Sequence, residues 1–259
     1  MNERTVITMT TAIEMKGRAA EGCTGGQPWG ADAFFSPEHR ELLEGLMYPK
    51  KVEAHKYLFW EGDATGKLYY VRSGRVKLTK TTEDGKTINL SIQRQGDLID
   101  ALDMTGSGVY GYSAESIEDA EFGVIQEKDL EILLHRHGDF AVAYTRWMAL
   151  QHMTTQSKFR DLLLFGKPGA LASTLIRLCN TCGVATKDGI RLTMKLTNTE
   201  LADFIGATRE SVNRMLSEFK SDGIIDIEGG FIIVKTLKEL KAICQCPSFP
   251  ACPREICRI

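Results

Sequence analysis

The stretch KLTNTELADFIGATRESVNRMLSEFKSDGIIDI (residues 195–227) decides the fold of the second half of the chain. Thr197 or Asn198 can cap a first short helix, Gly206 marks a turn, and a second helix is predicted over 208–219. Two short helices around a turn that contains glycine are typical of a helix-turn-helix. The β-rich runs that follow predict a winged version of this motif. The inward positions of both helices are the apolar residues Leu201, Ala202, Ile205, Val212, Met215, Leu216 and Phe219.

The outward face of the second helix carries residue types that read DNA. Arginine can bridge guanine O6 and N7, and glutamate can accept a hydrogen bond from cytosine N4. Hydroxyl side chains at the start of the helix suit phosphate contacts, which position a protein without specifying a sequence. A solvated helix face is the alternative, but clustering beside a capped turn favours DNA reading. The candidate DNA contacts are Thr208, Arg209, Glu210, Ser211, Asn213 and Arg214.

The first half of the chain reads as β-structure from about 48 to 125. Short runs of Val, Ile, Leu, Tyr and Thr alternate with polar residues, so each strand turns one face to a core. Gly62, Gly74, Gly85 and Gly96 recur every eleven or twelve residues, as hairpin corners do in a sandwich or jelly roll. No alternation of strands with long helices appears in this half.

A long helix is predicted to follow, with Asp139 as its N-cap. At about 25 residues it exceeds the usual helix length, so it either packs along the whole domain or pairs with a copy of itself. Gly166-Lys167-Pro168-Gly169 then breaks the chain and is the predicted domain boundary.

The composition is that of an ordinary globular protein, with 43% hydrophobic residues, 25% charged residues and a net charge of −2. Neither a run of about 18 apolar residues nor the apolar core of a secretory signal is present in the sequence. We therefore expect a cytoplasmic protein that does not associate with a membrane and whose thiols stay reduced.

Four cysteines lie close together in CQCPSFPACPREICRI (244–259), spaced C-x-C-x5-C-x4-C. The expected reducing compartment disfavours disulfides. Zinc sites usually come as two C-x2-4-C pairs, whereas iron–sulfur sites accept irregular spacing and often have a proline beside a ligand. The spacing favours iron–sulfur, with zinc and idle thiols as alternatives. Cys179 and Cys182 form a second C-x2-C within an apolar helix and are expected to be structural, and Cys23 to be incidental.

The sequence resembles the CRP/FNR superfamily of bacterial transcription regulators over roughly 35–257, and looks closest to its Bacillus-type FNR branch. The likeness is carried by QSKFRDLLLFGKPGALASTLIRL (156–178), LTNTELADFIGATRESVNRML (196–216) and PREIC (253–257). The resemblance implies an α+β fold with an N-terminal jelly-roll (β-roll) sensory domain, a long dimerisation helix and a C-terminal winged helix-turn-helix. It also implies a homodimer that binds double-stranded DNA and RNA polymerase, and no enzymatic activity.

The Bacillus-type branch binds an oxygen-labile 4Fe–4S cluster through three cysteines and one aspartate. By resemblance, the aspartate is Asp161, and Cys252 and Cys257 match two of the thiols by their x4 spacing. Cys246 is the expected third thiol, with Cys244 as its alternate, because additional residues blur the match here. Without the resemblance, Asp161 would be read as a surface partner of Arg160 or Lys158. The enterobacterial branch, with N-terminal cysteines, does not fit.

These expectations divide the chain into five parts. They are a flexible N-terminal arm (1–34), a β-roll sensory domain (35–138), a long dimerisation helix (139–166), a winged helix-turn-helix DNA-binding domain (167–241) and a cysteine-rich iron–sulfur tail (242–259). The implied function is oxygen-responsive regulation of anaerobic gene expression. The Arg-Glu-x3-Arg arrangement on the second helix implies a target like TGTGA-N6-TCACA.

Cyclic nucleotide binding is not expected. Binders in this superfamily carry a Gly-Glu-Leu turn and an Arg that hold the ribose and the phosphate. Here Asp100-Ala101-Leu102 and Tyr112-Ser113-Ala114 stand in those places, so a phosphate would meet Asp100 and Asp103 unopposed. The remaining alternative is a regulator on the same scaffold with structural zinc, or with other redox sensing that is not oxygen-labile.

Overall fold

The computed structural model describes residues 30–99, 108–248 and 251–259. Over these ranges the chain forms a β-roll, a long bent helix and a winged helix-turn-helix, which confirms the predicted α+β class. Residues 1–29 of the predicted arm, with Cys23, lie outside the described residues, as do Asp100 and Asp103.

Two four-stranded antiparallel sheets form the β-roll, in the orders β1-β8-β3-β6 and β2-β7-β4-β5. The strands are β1 (Tyr48–Val52), β2 (Tyr57–Phe59), β3 (Lys67–Ser73), β4 (Arg75–Thr81), β5 (Thr87–Arg94), β6 (Leu98–Ile99), β7 (Ser113–Ser116) and β8 (Ala120–Gln126). The corner glycines Gly62, Gly74, Gly85 and Gly96 all have positive φ, between 81° and 87°. Only glycine adopts this conformation without strain, which explains why the strands turn at these points.

Two short helices and a 3-10 turn flank the β-roll: the 3-10 turn Gly30–Ala33, α1 (Pro37–Glu44) and α2 (Glu127–Arg136). The prediction that Asp139 caps the long helix is wrong. That helix begins at Gly138, and the N-cap residue His137 makes no side-chain capping bond. Asp139 Oδ2 instead accepts a hydrogen bond from His39 Nε2 at 2.9 Å, which ties the helix to α1.

The long helix α3 (Gly138–Cys182) bends at Gly166, whose φ of 59° and ψ of −164° are not helical. Gly166 ends one helical segment and Pro168 lies in the first turn of the next, where its missing N–H costs no hydrogen bond. We call these parts the long segment (138–165) and the docking segment (167–182). By length and composition α3 could cross a membrane, but 61% of its most apolar window is buried inside the protein, as in a core helix.

The winged motif packs on the docking segment. Its elements are β9 (Gly183–Thr186), β10 (Gly189–Leu192), α4 (Asn198–Ile205), α5 (Arg209–Ser221), β11 (Ile225–Glu228) and β12 (Phe231–Val234), and α6 (Leu237–Ile243) follows. The strands form one sheet in the order β11-β12-β10-β9. Apolar residues of α3, α4, α5 and α6 share one core with this sheet. After α6 the chain returns to α3, with a 3-10 turn at Arg254–Ile256.

Candidate DNA-reading and sensor sites

Side-chain caps fix the relation between the two helices of the helix-turn-helix. Thr197 Oγ1 accepts from the backbone N–H of Glu200 at 3.1 Å, and Glu200 Oε2 accepts from the N–H of Thr197 at 2.7 Å. This reciprocal pair is a capping box. Gly206 ends α4 in the left-handed conformation, at φ 58°, and Thr208 Oγ1 accepts from the N–H of Ser211 at 3.2 Å to begin α5.

The structure places the predicted DNA-reading residues on one exposed surface at the start of α5. Arg209, Glu210, Asn213 and Arg214 are exposed, while the opposite face of the helix is buried. Asn213 Oδ1 accepts from Asn198 Nδ2 at 3.1 Å, so this side chain is already oriented by α4. The hydroxyl of Thr208 serves the cap, and Ser211 is half-buried beside it. The first turns of α5 are where such a helix meets base edges.

An ion-pair cluster joins the wing to α5. Asp226 of β11 accepts from Lys220 Nζ at 3.0 Å and lies 3.2 Å from Lys235 Nζ. Three hydrogen bonds lower the pKa of Asp226 to about 2. The bond from Lys220 has the largest effect, followed by those from the backbone N–H of Ile227 and from Lys235. These ion pairs therefore hold the wing in a fixed position relative to the C-terminal end of α5.

Asp161 is buried at the bend of α3, with 3% of its surface exposed. Its Oδ1 accepts from Arg160 Nη2 at 2.5 Å, and its Oδ2 accepts from Arg177 Nη2 at 3.0 Å and from the Ser173 hydroxyl. Arg160 is thus a partner of Asp161, as one prediction had it, but the carboxylate itself is buried while Arg160 is partly exposed. Lys158 donates to the Leu90 carbonyl at 3.0 Å instead. Ser173 and Arg177 belong to the docking segment, so Asp161 bridges the bend.

Three of the tail thiols interact with one another, and one of them, Cys246, also interacts with this carboxylate. Burial raises the pKa of Cys246, the neighbouring Cys252 raises it further, and Asp161 adds a smaller rise. Burial also raises the pKa of Cys257, where Arg177 opposes the rise and Cys246 and Cys252 add to it. Arg160, which is hydrogen-bonded to Asp161, also interacts with Cys252. Cys246, Cys252 and Cys257 are each half-buried.

Cys244 differs from these three thiols. It is 2% exposed and belongs to the core of the winged motif. Burial raises its pKa to about 11, with Cys246 and Asp161 contributing. Of the other pair, Cys179 is buried in the same core and Cys182 is half-buried, with its Sγ 3.3 Å from the Leu178 carbonyl oxygen, in line with a structural role.

Positive charge collects around the bend. Burial lowers the pKa of Lys158, and repulsion from Arg177 and Arg258 lowers it further. Arg177 is buried and donates to the Ile256 carbonyl at 2.7 Å. Sequence patterns did not single out Ser173, Arg177 or Arg258, because none belongs to a ligand type or an outward helical face. The only signal available was the presence of Ser173 and Arg177 within the hinge stretch 156–178.

Aromatic side chains fill the interior of the β-roll. Phe59 stacks on Tyr110 with ring centroids 3.8 Å apart, and Tyr69 lies 5.6 Å from Phe59 on the other side. Tyr112, which stands where a phosphate-binding arginine is expected, lies 5.7 Å from Phe59. These rings belong to the apolar core between the two sheets.

Comparison with known proteins identifies the family. Residues 49–137 match the cyclic nucleotide-binding domain family, and residues 169–243 match the Crp-like helix-turn-helix domain family. The chain is 43% identical over 228 residues to the anaerobic regulatory protein of Bacillus subtilis (strain 168), covering 87% of this chain and 94% of that relative. The chain belongs to the CRP/FNR superfamily.

More distant members of the CRP/FNR superfamily align as well. A CRP-like cAMP-activated global transcriptional regulator of Mycobacterium tuberculosis is 27% identical over 183 residues, covering 71% of this chain and 82% of the relative. Among solved structures, the c-di-GMP-responsive regulator CLP of Xanthomonas campestris has a TM-score of 0.69 at 19% identity, over 78% of this chain and 100% of that one. A CooA mutant from Carboxydothermus hydrogenoformans has a TM-score of 0.67 at 18% identity, over 78% and 89%. These two structures show the fold.

This member of the CRP/FNR superfamily is a DNA-binding transcription regulator, and the prediction that it is not an enzyme is confirmed.

Proposed function

We propose that this regulator changes its DNA binding in response to oxygen, through a 4Fe–4S cluster held by Cys246, Cys252, Cys257 and Asp161. The observation that carries the proposal is the buried Asp161 at the bend of α3, whose partner Arg177 also binds the Ile256 carbonyl next to Cys257. The anaerobic regulatory role named for the Bacillus subtilis relative supports it.

The donor set fits such a group. Thiolates are the usual ligands of iron–sulfur clusters, and a carboxylate is a harder, weaker donor that suits a labile site. Three thiolates and a carboxylate carry four negative charges, which Arg160 and Arg177, both hydrogen-bonded to Asp161, are placed to offset in part. Each ligand of a cube binds its own iron, so the ligands need not converge on one point. Among the described residues, no group of three or more potential ligands converges on a single ion.

Cys246 is a better third ligand than Cys244. Cys244 is 2% exposed within the core of the winged motif, so it is less accessible to a ligand than the half-buried Cys246. Cys246 is half-buried and interacts with both Cys252 and Cys257.

The long segment of α3 supports a homodimer. Its residues at alternating spacings of three and four are all exposed, and they are Val142, Thr145, Ala149, His152, Gln156, Phe159 and Leu163. Val142, Phe159 and Leu163 are 51%, 62% and 63% exposed, although they are apolar. A heptad stripe of this kind pairs two helices. Two copies would place their α5 helices in successive major grooves, about 34–36 Å apart.

The cluster, when bound, supplies ligation that oxygen destroys. The residues that hold the cluster then act as the conformational switch. Asp161 and the tail thiols together hold the tail, the long segment and the docking segment at one point, across the bend at Gly166. Release of the tail loosens this point, and the two DNA-reading helices lose their common orientation. This is a two-state element whose equilibrium depends on a bound group.

The DNA target and the partners follow from the same reasoning. Arg209, Glu210 and Arg214 are exposed together and suit a TGTGA-N6-TCACA-like palindrome, with arginine on guanine and glutamate on cytosine. The aromatic interior of the β-roll argues against a cyclic nucleotide as the signal. Contact with RNA polymerase and a cytoplasmic location stay predictions.

Anaerobic purification tests the proposal. We expect a brown protein with about four irons and four sulfides per chain, which bleaches in air and loses palindrome binding at the same time. Cys252→Ser should abolish the colour, whereas the control Cys182→Ser, in the docking segment, should keep it. A colourless wild-type protein that contains zinc would refute the oxygen switch and leave the zinc regulator in its place.

A further inference from the structure

A buried ion pair joins the residue after Cys257 to the β-roll. Arg258 Nη2 donates to both carboxylate oxygens of Asp97, at 2.7 and 2.8 Å. Asp97 lies in the turn between β5 and β6 and is completely buried, and Arg258 is 8% exposed. The two residues are 161 positions apart in the chain. This contact was not part of any sequence pattern, and the sensor site proposed above does not use it.

The β-roll holds Asp97 in a fixed position. Its Oδ2 also accepts from the backbone N–H of Arg94 at 3.0 Å, and its backbone carbonyl accepts from the N–H of Val71 at 2.9 Å. The carboxylate therefore cannot follow Arg258 if the tail moves away. A carboxylate left buried without its cation is strongly unfavourable.

The same piece of tail is also fixed to the docking segment. The N–H of Ile259 donates to Thr181 Oγ1 at 3.1 Å, and the Ile259 side chain is buried in the core of the winged motif. Asn180 Nδ2 donates to the carbonyl of Cys257 itself at 2.8 Å. Arg94 of the β-roll completes the junction by donating to the Thr181 carbonyl at 2.7 Å.

We propose that Arg258 is a positioning residue of the sensor site, which holds Cys257 in place and links it to the β-roll through Asp97. The inference rests on the proposed function. Cys257 lies between bonds to the docking segment and the Arg258–Asp97 pair, so a displacement of its sulfur is resisted by both domains. Conversely, loss of Cys257 ligation removes one attachment of a short tail that spans the β-roll and the DNA-binding domain, and the domain junction opens with it.

The experiment compares Arg258→Gln, Asp97→Asn and the double variant with the control Lys51→Met. The control also removes one partner of an ion pair, Lys51–Glu121 at 2.6 Å, but that pair is on the exposed surface of the β-roll. Iron content, the rate of bleaching in air and palindrome affinity are measured on the anaerobic protein. Hydrogen exchange over 177–182 is measured on protein stripped of iron, so one measurement does not depend on the cluster.

We expect the two single variants to take up iron, to bleach several-fold faster than wild type and to bind DNA about tenfold more weakly. The double variant should bleach no faster and bind DNA no more weakly than either single variant, because each single substitution already removes the same ion pair. Exchange over 177–182 should be faster in all three than in Lys51→Met. Arg258→Lys, which keeps the charge, should restore part of the loss, and this variant replaces Arg258→Gln if the latter does not fold.

Two results would overturn the inference. One is a brown Arg258→Gln variant with wild-type bleaching, affinity and exchange. The other is a double variant whose losses are the sum of the two single losses. A wild-type protein that never takes up iron is a different outcome, because it refutes the oxygen switch first and the role of Arg258 in the sensor with it.

Discussion

Replacing Arg177 by methionine should destabilise the protein more than any single exposed charge change. The Arg177 guanidinium donates to Asp161 Oδ2 at 3.0 Å, Ser157 Oγ at 2.8 Å and the Ile256 carbonyl at 2.7 Å. The side chain is 4% exposed, as is that of Asp161. Methionine retains most of the aliphatic packing, so the loss is that of the charge and its hydrogen bonds.

The size of the effect follows from burial. Removing one partner of a buried ion pair costs about 3–5 kcal/mol. Asp161 keeps Arg160 and Ser173 as partners, which places the expected loss near the lower limit, at about 3 kcal/mol. At about 2–4 °C per kcal/mol for a chain of this size, Tm should fall by about 6–12 °C.

Circular dichroism of the iron-free, reduced protein measures this fall in Tm. The matched control is Arg160→Met, which removes the other arginine from the same carboxylate. The Arg160 side chain is 33% exposed, so its loss should cost only about 0–1 kcal/mol. A Tm equal to that of Arg160→Met would show that burial does not decide the strength of these pairs, and our reasoning would be wrong.

Three other predictions concern the DNA-reading and sensor sites. Arg214→Ala should weaken palindrome binding by about 1–3 kcal/mol and relax specificity at one base pair, as measured by fluorescence anisotropy with altered sites; a uniform loss over all sequences would make Arg214 a phosphate contact instead. Cys246→Ser should abolish iron retention while Cys244→Ser keeps it, and the reverse pattern in an iron assay would exchange their roles. Asp226 should titrate near pH 2 by NMR, because Lys220 lowers its pKa from 3.8 to about 2. The contribution of this carboxylate to the free energy of unfolding is complete above pH 3.8 and is lost as the pH falls through about 2. A titration at the ordinary value would show that the wing is not tied to α5 in solution.

Local features of the fold were predictable because their interactions span only a few residues. The capping box of Thr197 and Glu200, the left-handed Gly206 and the cap of α5 at Thr208 all follow from neighbouring residue types. The corner glycines of the β-roll are of the same kind. Helix α1 was not predicted, although Ser36 and Pro37 form an N-terminal signal.

Long-range contacts could not be predicted in this way. Asp139 looks like a helix cap in the sequence, yet it binds His39, 100 positions away. Resemblance singled out Asp161, but only the structure shows that it is buried and shared by Arg160, Ser173 and Arg177. A residue's neighbours in space depend on how the β-roll and the winged motif pack, which no local pattern records.

The sequence by itself determined the family and the class of fold, and it predicted the DNA-reading face of α5 and the thiols for a metal, because each of these depends on residue type and short spacing. Tertiary structure alone decided how buried Asp161 and each tail thiol are, and that Arg258 binds Asp97 across 161 positions. Burial changes the strength of a charge interaction severalfold, and burial is a property of the packed molecule rather than of any segment.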